Sequence, residues 1–105
     1  MLSLGFFVRL EAKPGKEKEV AAFLKQGLEM ANQEMTTPLW FALRLTPSTF
    51  GVFDAFHDER GRQAHFNGPI AKALMANASN LLAVPPSIEK IEVLGVKLPQ
   101  EVCAS

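Results

Sequence analysis

Apolar residues alternate with polar or small ones along four stretches of the chain, and this alternation predicts four β-strands. The stretches run from Leu4 to Ala12, from Leu39 to Thr46, from Phe50 to His57 and from Ser87 to Leu98. A period of two is typical of strands that turn one face toward a core. Pro47-Ser48-Thr49 lies between the second and third strands and predicts a hairpin loop of two or three residues.

Between these strands, apolar residues recur at helical spacing. A helix is predicted from Glu17 to about Met35, with its apolar stripe at Val20, Phe23, Leu24, Leu28, Ala31 and Met35. A short helix follows Asp58, which is a good N-cap. Asn67-Gly68-Pro69 interrupts this segment, and a second helix runs from about Ile70 to Ala83. The order predicts an α+β, ferredoxin-like βαββαβ domain over residues 1–98, with a four-stranded antiparallel sheet and a C-terminal tail at 99–105.

This plan leaves one sheet face without a cover. Two helical segments cover one face of a four-stranded sheet, and the other face still carries apolar residues. They come from sets such as Phe7, Trp40, Phe53, Ala55, Ile91 and Val93. An exposed patch of this kind marks an interaction site. We therefore expect a homodimer that packs open sheet face against open sheet face. The alternative is a curled, one-sided sheet with scattered exposed apolar residues.

Composition narrows the class of protein. The 105 residues contain 11 Lys+Arg and 11 Asp+Glu, so no basic excess favours nucleic acid or an anionic membrane. Cys103 is the only cysteine, which leaves no disulfide framework. The apolar run at Met1–Val8 lacks a basic start and is too short to span a bilayer, so we expect a cytoplasmic protein.

Asp54 is the first candidate for chemistry, because a carboxylate in the middle of an apolar strand must be paired, hydrogen-bonded or protonated. With a three-residue loop, Ala42 pairs with Asp54, and Arg44 becomes its diagonal neighbour on the same face. A two-residue loop shifts the register by one and moves Asp54 to the other side relative to Arg44. Arg44 or Arg9 could then form an ion pair with Asp54, and a catalytic role is the other interpretation.

Two histidines and the only tryptophan are further candidates. His65 lies on the helix after the third strand, where a near-neutral pKa would suit a general base; the alternative is a residue that braces the helix. His57 ends a strand and is a candidate for substrate binding or an ordinary surface residue. Trp40 could stack on an aromatic substrate or fill the dimer interface. Two histidines without clustered carboxylates do not predict a metal site.

The residues also resemble a known family. Lys13-Pro14-Gly15-Lys16-Glu17 precedes a long helix, and the third strand ends in the pattern Asp54, Phe56, Asp58, followed by Ala64-His65. This arrangement is similar to the antibiotic biosynthesis monooxygenase family of the dimeric α+β barrel superfamily, over roughly residues 4–98. The family usually has Glu where Asp54 stands and Trp or Tyr where Phe56 stands. The haem-degrading branch uses an Asn on the first strand, where this chain has Phe6 and Phe7.

The resemblance implies a cofactor-independent monooxygenase acting on a small aromatic or quinol-type substrate. In this interpretation His65 and Asp54 are catalytic, and Trp40, Arg44, Phe56 and His57 contact the substrate, with no cofactor and no metal. The chain contains no tyrosine, which excludes tyrosine-assisted chemistry. Two alternatives keep the fold. One is a dimeric small-ligand-binding or scaffold protein without catalysis. The other is an isomerase or decarboxylase for a small oxo-acid, in which Arg44 would line the cavity and hold the carboxylate.

Overall fold

The computed structural model describes residues 1–99. Its elements are β1 (Leu4–Glu11), α1 (Glu17–Ala31), β2 (Leu39–Arg44), β3 (Thr49–Phe56), α2 (Glu59–Phe66), α3 (Pro69–Leu81) and β4 (Ser87–Glu92). The strands form one antiparallel sheet in the order β2-β3-β1-β4. The predicted ferredoxin-like α+β fold is thus confirmed. Residues 100–105, with Cys103 and most of the predicted tail, lie outside the described residues.

The helices cover one face of the sheet, and the core lies between them. From β1 the core takes Phe6, Val8 and Leu10, and from β3 it takes Phe50, Val52 and Phe56. Val20 and Leu24 of α1 and Leu81 of α3 close it from the other side. Each large apolar side chain buried in this way contributes roughly 1.5–3 kcal/mol. The two central strands therefore hold the fold together, and they also carry the site described below.

Local sequence features fix two junctions. Asp58 caps α2 as predicted, since its Oδ1 accepts a hydrogen bond from the Gly61 N–H at 2.9 Å. Gly5 sits where β1 and β3 approach closely, and a Cβ built there would lie 2.0 Å from the Asp54 carbonyl oxygen. Only glycine fits at that point of β1.

The ends of the helices and strands differ from the predictions by no more than two residues, except that α1 and β4 end well before the predicted Met35 and Leu98. Helix α1 ends at Ala31 because turns at Asn32–Glu34 follow, and Met35 is 98% exposed instead of completing the stripe. Strand β4 ends at Glu92 because its partner β1 begins at Leu4, which is the residue opposite. Strand β2 ends at Arg44, where the backbone turns into the hairpin.

The face of the sheet away from the helices carries an apolar patch. Phe41 of β2 is 50% exposed, and its ring stacks on Phe53 of β3 at 6.2 Å between centroids. Phe7 and Ile91 share this face and are half-buried. Trp40 was among the residues predicted for this face, and that prediction is wrong. Trp40 lies opposite Asp54, and its ring packs against Gly27 of α1. Within residues 1–99, no helix is both long and apolar enough to cross a membrane.

Candidate functional site

A cavity of about 420 Å³ lies between the sheet and helices α1 and α3. Its walls are almost entirely apolar, and the exceptions are Asp54, His65, Lys72 and the indole of Trp40. The apolar lining includes Phe6, Val8 and Leu10 of β1, Phe23 and Leu24 of α1, and Leu74 and Met75 of α3. A concave apolar space with a few polar groups is the usual form of a small-molecule site.

Asp54 is held in the cavity wall by the pairing of the three neighbouring strands. It lies opposite Phe6 of β1 and opposite Trp40 of β2. Its Oδ1 accepts a hydrogen bond from the Phe6 backbone N–H at 3.1 Å. Its side chain is 1% exposed, so this carboxylate is almost fully removed from water.

His65 is the partner of Asp54. Helix α2 begins at the Asp58 cap and brings the imidazole over β3, where it lies 5.4 Å from the Phe56 ring. Its Nε2 is 3.1 Å from Asp54 Oδ2. Its Nδ1 is 2.7 Å from Glu34 Oε1. The ring therefore bridges two carboxylates.

Glu34 is the third member of this cluster, and sequence reasoning missed it. It lies in the turn after α1, and its Oε1 also accepts a hydrogen bond from the Thr37 hydroxyl at 2.7 Å. Its other oxygen, Oε2, is buried and has no partner within residues 1–99. The predicted helix to Met35 hid this residue, because a glutamate in a continuing surface helix would be solvated. The signal that could have found it is the pair Glu34 and Thr37 just before Pro38.

The contacts determine how many protons the cluster holds. A nitrogen and a carboxylate oxygen at 2.7 or 3.1 Å need a hydrogen between them, since two lone pairs would otherwise face each other. Each ring nitrogen of His65 thus shares a proton with one carboxylate oxygen, Nδ1 with Glu34 and Nε2 with Asp54. One cation and two carboxylates leave the cluster of Glu34, His65 and Asp54 with a single net negative charge.

The pKa of His65 agrees with this count. Burial by itself lowers the pKa, but hydrogen bonds to Asp54 and to Glu34, together with the charges of both carboxylates, raise it by more. The net pKa lies above the usual 6.5. This direction agrees with the cation that the two nitrogen–carboxylate contacts indicate, and a cationic imidazole is not the resting state of a simple free base.

Neither a scan with family models nor a comparison with curated proteins finds a match. Solved structures do match. A protein of unknown function from Nitrosomonas europaea is 64% identical, with a TM-score of 0.91 over 94% of this chain and 96% of that one. The chain belongs to the same family as that protein.

More distant structures are described as candidate antibiotic biosynthesis monooxygenases. One from Nitrosomonas europaea is 15% identical with a TM-score of 0.77, and the match covers 88% of this chain and 90% of that one. One from Caulobacter crescentus is 18% identical with a TM-score of 0.74, covering 89% and 91%. The chain thus has the antibiotic biosynthesis monooxygenase fold, as the resemblance implied.

In this antibiotic biosynthesis monooxygenase fold, three of the predicted site residues meet and three do not. His65, Asp54 and Trp40 line the cavity. Phe56 is fully buried beneath His65 and does not reach the cavity wall. His57 is exposed at the end of β3, where its carbonyl accepts a hydrogen bond from the Ser3 hydroxyl.

The predicted ion pair of Asp54 with Arg44 is wrong. The observed register pairs Trp40, not Ala42, with Asp54 and sets Arg44 opposite Phe50. The guanidinium stacks 4.6 Å above the Phe50 ring and donates to the Pro47 carbonyl at 3.2 Å, away from the cavity. Arg9 is exposed and lies opposite Gly51, on the other face of the sheet. The oxo-acid interpretation depended on Arg44 lining the cavity and loses its support.

Proposed function

We propose that this chain is a cofactor-independent monooxygenase that oxidises a small aromatic or quinol-type molecule in the cavity. One observation carries the proposal. A buried ionic cluster, which His65 and Asp54 present to the cavity, stands in the wall of an otherwise apolar space of about 420 Å³. Such a space accepts a flat apolar ring system, and the cluster offers it a partner for one hydroxyl group.

The cluster accepts the substrate proton at Asp54. Asp54 and His65 both line the cavity, but both ring nitrogens of His65 already point at carboxylate oxygens. The carboxylate of Asp54 therefore takes the proton of the substrate hydroxyl, while His65 remains the cation beside it. The cluster changes from one net negative charge to neutral as the substrate becomes the anion, so no charge is added to the low-dielectric site. The sequence predicted His65 as the base; in this proposal Asp54 is the base and His65 is its cationic partner.

The deprotonated substrate is electron-rich and reacts with oxygen directly. One electron passes from the substrate anion to O₂, and the substrate radical and superoxide combine to form a carbon–oxygen bond at a ring carbon that bears hydrogen. The cluster returns its proton to this peroxide, giving a hydroperoxide. Loss of water, which takes the hydrogen of that carbon, leaves a carbonyl, so that the substrate and O₂ become a quinone-type product and H₂O. No step needs a redox partner beyond O₂ itself. The apolar walls keep bulk water away from the substrate anion.

Oxygen consumption with a panel of quinols, including a dihydroxyanthracene, tests the proposal. Asp54→Asn keeps the side-chain shape, and we expect it to lower the rate by about 10²–10⁴-fold, the usual contribution of general acid–base catalysis. His65→Ala should lose activity to a similar extent, with folding checked by circular dichroism. His57→Ala is the matched control and should keep the wild-type rate. Full activity of His65→Ala would contradict the proposal.

A non-catalytic small-ligand-binding protein is the second candidate. The observation that favours it is the saturation of His65, since both ring nitrogens already have carboxylate partners without any substrate. A ligand from the same panel that binds in the cavity but is never oxidised, at any pH, would decide for this function.

We also propose that a second copy of the chain covers the open sheet face. The apolar patch formed by Phe7, Phe41, Phe53 and Ile91 supports it, because such a patch is costly to leave in water. The two copies would bring their sheets together face to face, which leaves both cavities on the outer, helical sides.

A further inference from the structure

The cavity carries opposite charges at its two ends. Asp54 and His65 are buried lining residues, and their cluster is the negative end. Phe66, Lys72 and Met75 also line the cavity but are exposed, so they mark its opening. Lys72 is the single cationic side chain among these rim residues.

Lys72 is positioned to act on a ligand because nothing else in the described structure engages it. It lies in the first turn of α3, three residues before Met75, so both side chains project from one side of the helix. None of the ion pairs found in residues 1–99 involves its ammonium group. Its apolar stem can pack on the rim while the charge stays in water.

From this arrangement we infer that the ligand is an amphipathic aromatic acid. Its ring system fills the apolar cavity, its neutral hydroxyl faces the pair of Asp54 and His65, and its carboxylate lies at the opening beside Lys72. The reverse orientation would place two negative charges together in a low-dielectric environment. The charges thus select both a class of ligand and the direction in which it enters. The inference rests on the proposed function in one respect: it takes the same cavity as the ligand site.

Calorimetric titration with two matched compounds tests the inference. 6-Hydroxy-2-naphthoate carries a hydroxyl and a carboxylate at opposite ends, and 2-naphthol lacks the carboxylate. We expect the acid to bind about twofold to fivefold more tightly, as for an ion pair exposed to water. The preference should shrink when salt is raised, because exposed charges are screened.

Substitutions at Lys72 test whether this residue causes the preference for the acid. Lys72→Met keeps the apolar stem and should make the two compounds bind equally. Lys72→Glu should reverse the preference in favour of 2-naphthol. Lys25→Glu is the matched control, since Lys25 is an exposed lysine of α1 that does not line the cavity, and it should keep the wild-type preference.

The outcomes separate this inference from the proposed function. Equal binding of both compounds to the wild type, or a preference for the acid that survives Lys72→Glu, overturns the inference and leaves the monooxygenase proposal standing. Failure of both compounds to bind the wild type at millimolar concentration overturns the inference and also removes the ligand site on which the proposed function depends.

Discussion

The two faces of the sheet use the same strands for opposite purposes. On the helical face, alternate residues of β1 and β3 build a core, a cavity and the cluster of Glu34, His65 and Asp54. On the open face, the intervening residues of the same strands include Phe7 and Phe53, which meet no helix. The same strand pair therefore has one face that is covered by helices and another whose apolar residues no element of this chain covers.

The difference shows where the polar groups can be placed. The helical side can hold the buried Asp54 and His65 and the half-buried Glu34, because each has a partner of opposite charge or a hydrogen-bond donor within about 3 Å. The open face carries stacked rings instead, with Phe41 on Phe53. Precise geometry on one side favours chemistry and binding, and broad apolar area on the other favours association.

The largest expected effect comes from breaking the ionic cluster. His65→Leu leaves Asp54 and Glu34 buried without their cation, and breaking a buried pair in this way costs about 3–5 kcal/mol. Urea unfolding at pH 7 measures the loss. Adding Glu34→Gln and Asp54→Asn to His65→Leu should restore part of the stability, because no unpaired charge then remains. A loss no greater than that of His57→Leu would show that the cluster contributes nothing to folding.

A smaller effect is expected on the open face. Phe41→Asp places a charge in the centre of the apolar patch and should weaken the dimer by at least about tenfold, or about 1.4 kcal/mol. Light scattering over a concentration series measures it. Ala42→Asp is the matched control, because Ala42 is the next residue, is exposed and points to the other face. A wild-type chain that stays monomeric at micromolar concentration would remove the dimer proposal.

The pH dependence of stability distinguishes the two histidines. Because the pKa of His65 is raised above 6.5 in the folded chain, its ionic bonds stabilise fully below that pH. The stabilisation is then lost as pH rises through the folded pKa, since the folded state binds more protons than the unfolded state in that range. Urea midpoints from pH 6 to 9 should fall for the wild type. His57→Gln should keep this slope, and His65→Gln should flatten it.

The smallest effect is expected where α1 approaches the cavity wall. Gly27→Ala raises helix propensity by about 1 kcal/mol, but the new Cβ would lie 3.2 Å from Trp40 Cη2. The two effects oppose each other, so the unfolding free energy should change by less than about 1 kcal/mol. Ligand affinity should change more, because Trp40 must shift within the wall. Gln26→Ala, one residue earlier on the exposed side of α1, should alter neither quantity.

The sequence predicted the fold well because its signals are local or periodic. The alternation in the strands, the Asp58 cap and the break at Asn67-Gly68-Pro69 all report on neighbouring residues, and the structure confirms them. His65 and Asp54 were singled out because each is a polar residue in an apolar setting.

The rest of the site depends on distant pairing, which a single sequence does not encode locally. The hairpin register decided whether Ala42 or Trp40 stood opposite Asp54, and the loop sequence was compatible with more than one register. Glu34 is 31 residues from His65, and only the early end of α1 brings the two together. Lys72 is a surface lysine by every local criterion, and only the packing of α3 places it at the cavity.

Trp40 gives the protein a built-in optical reporter. It is the only tryptophan in a chain without tyrosine, so the near-ultraviolet emission of the protein comes from one indole. Because that indole lines the cavity, its emission wavelength and fluorescence lifetime will change when a ligand occupies the cavity. Occupancy can thus be followed in the unlabelled wild-type chain.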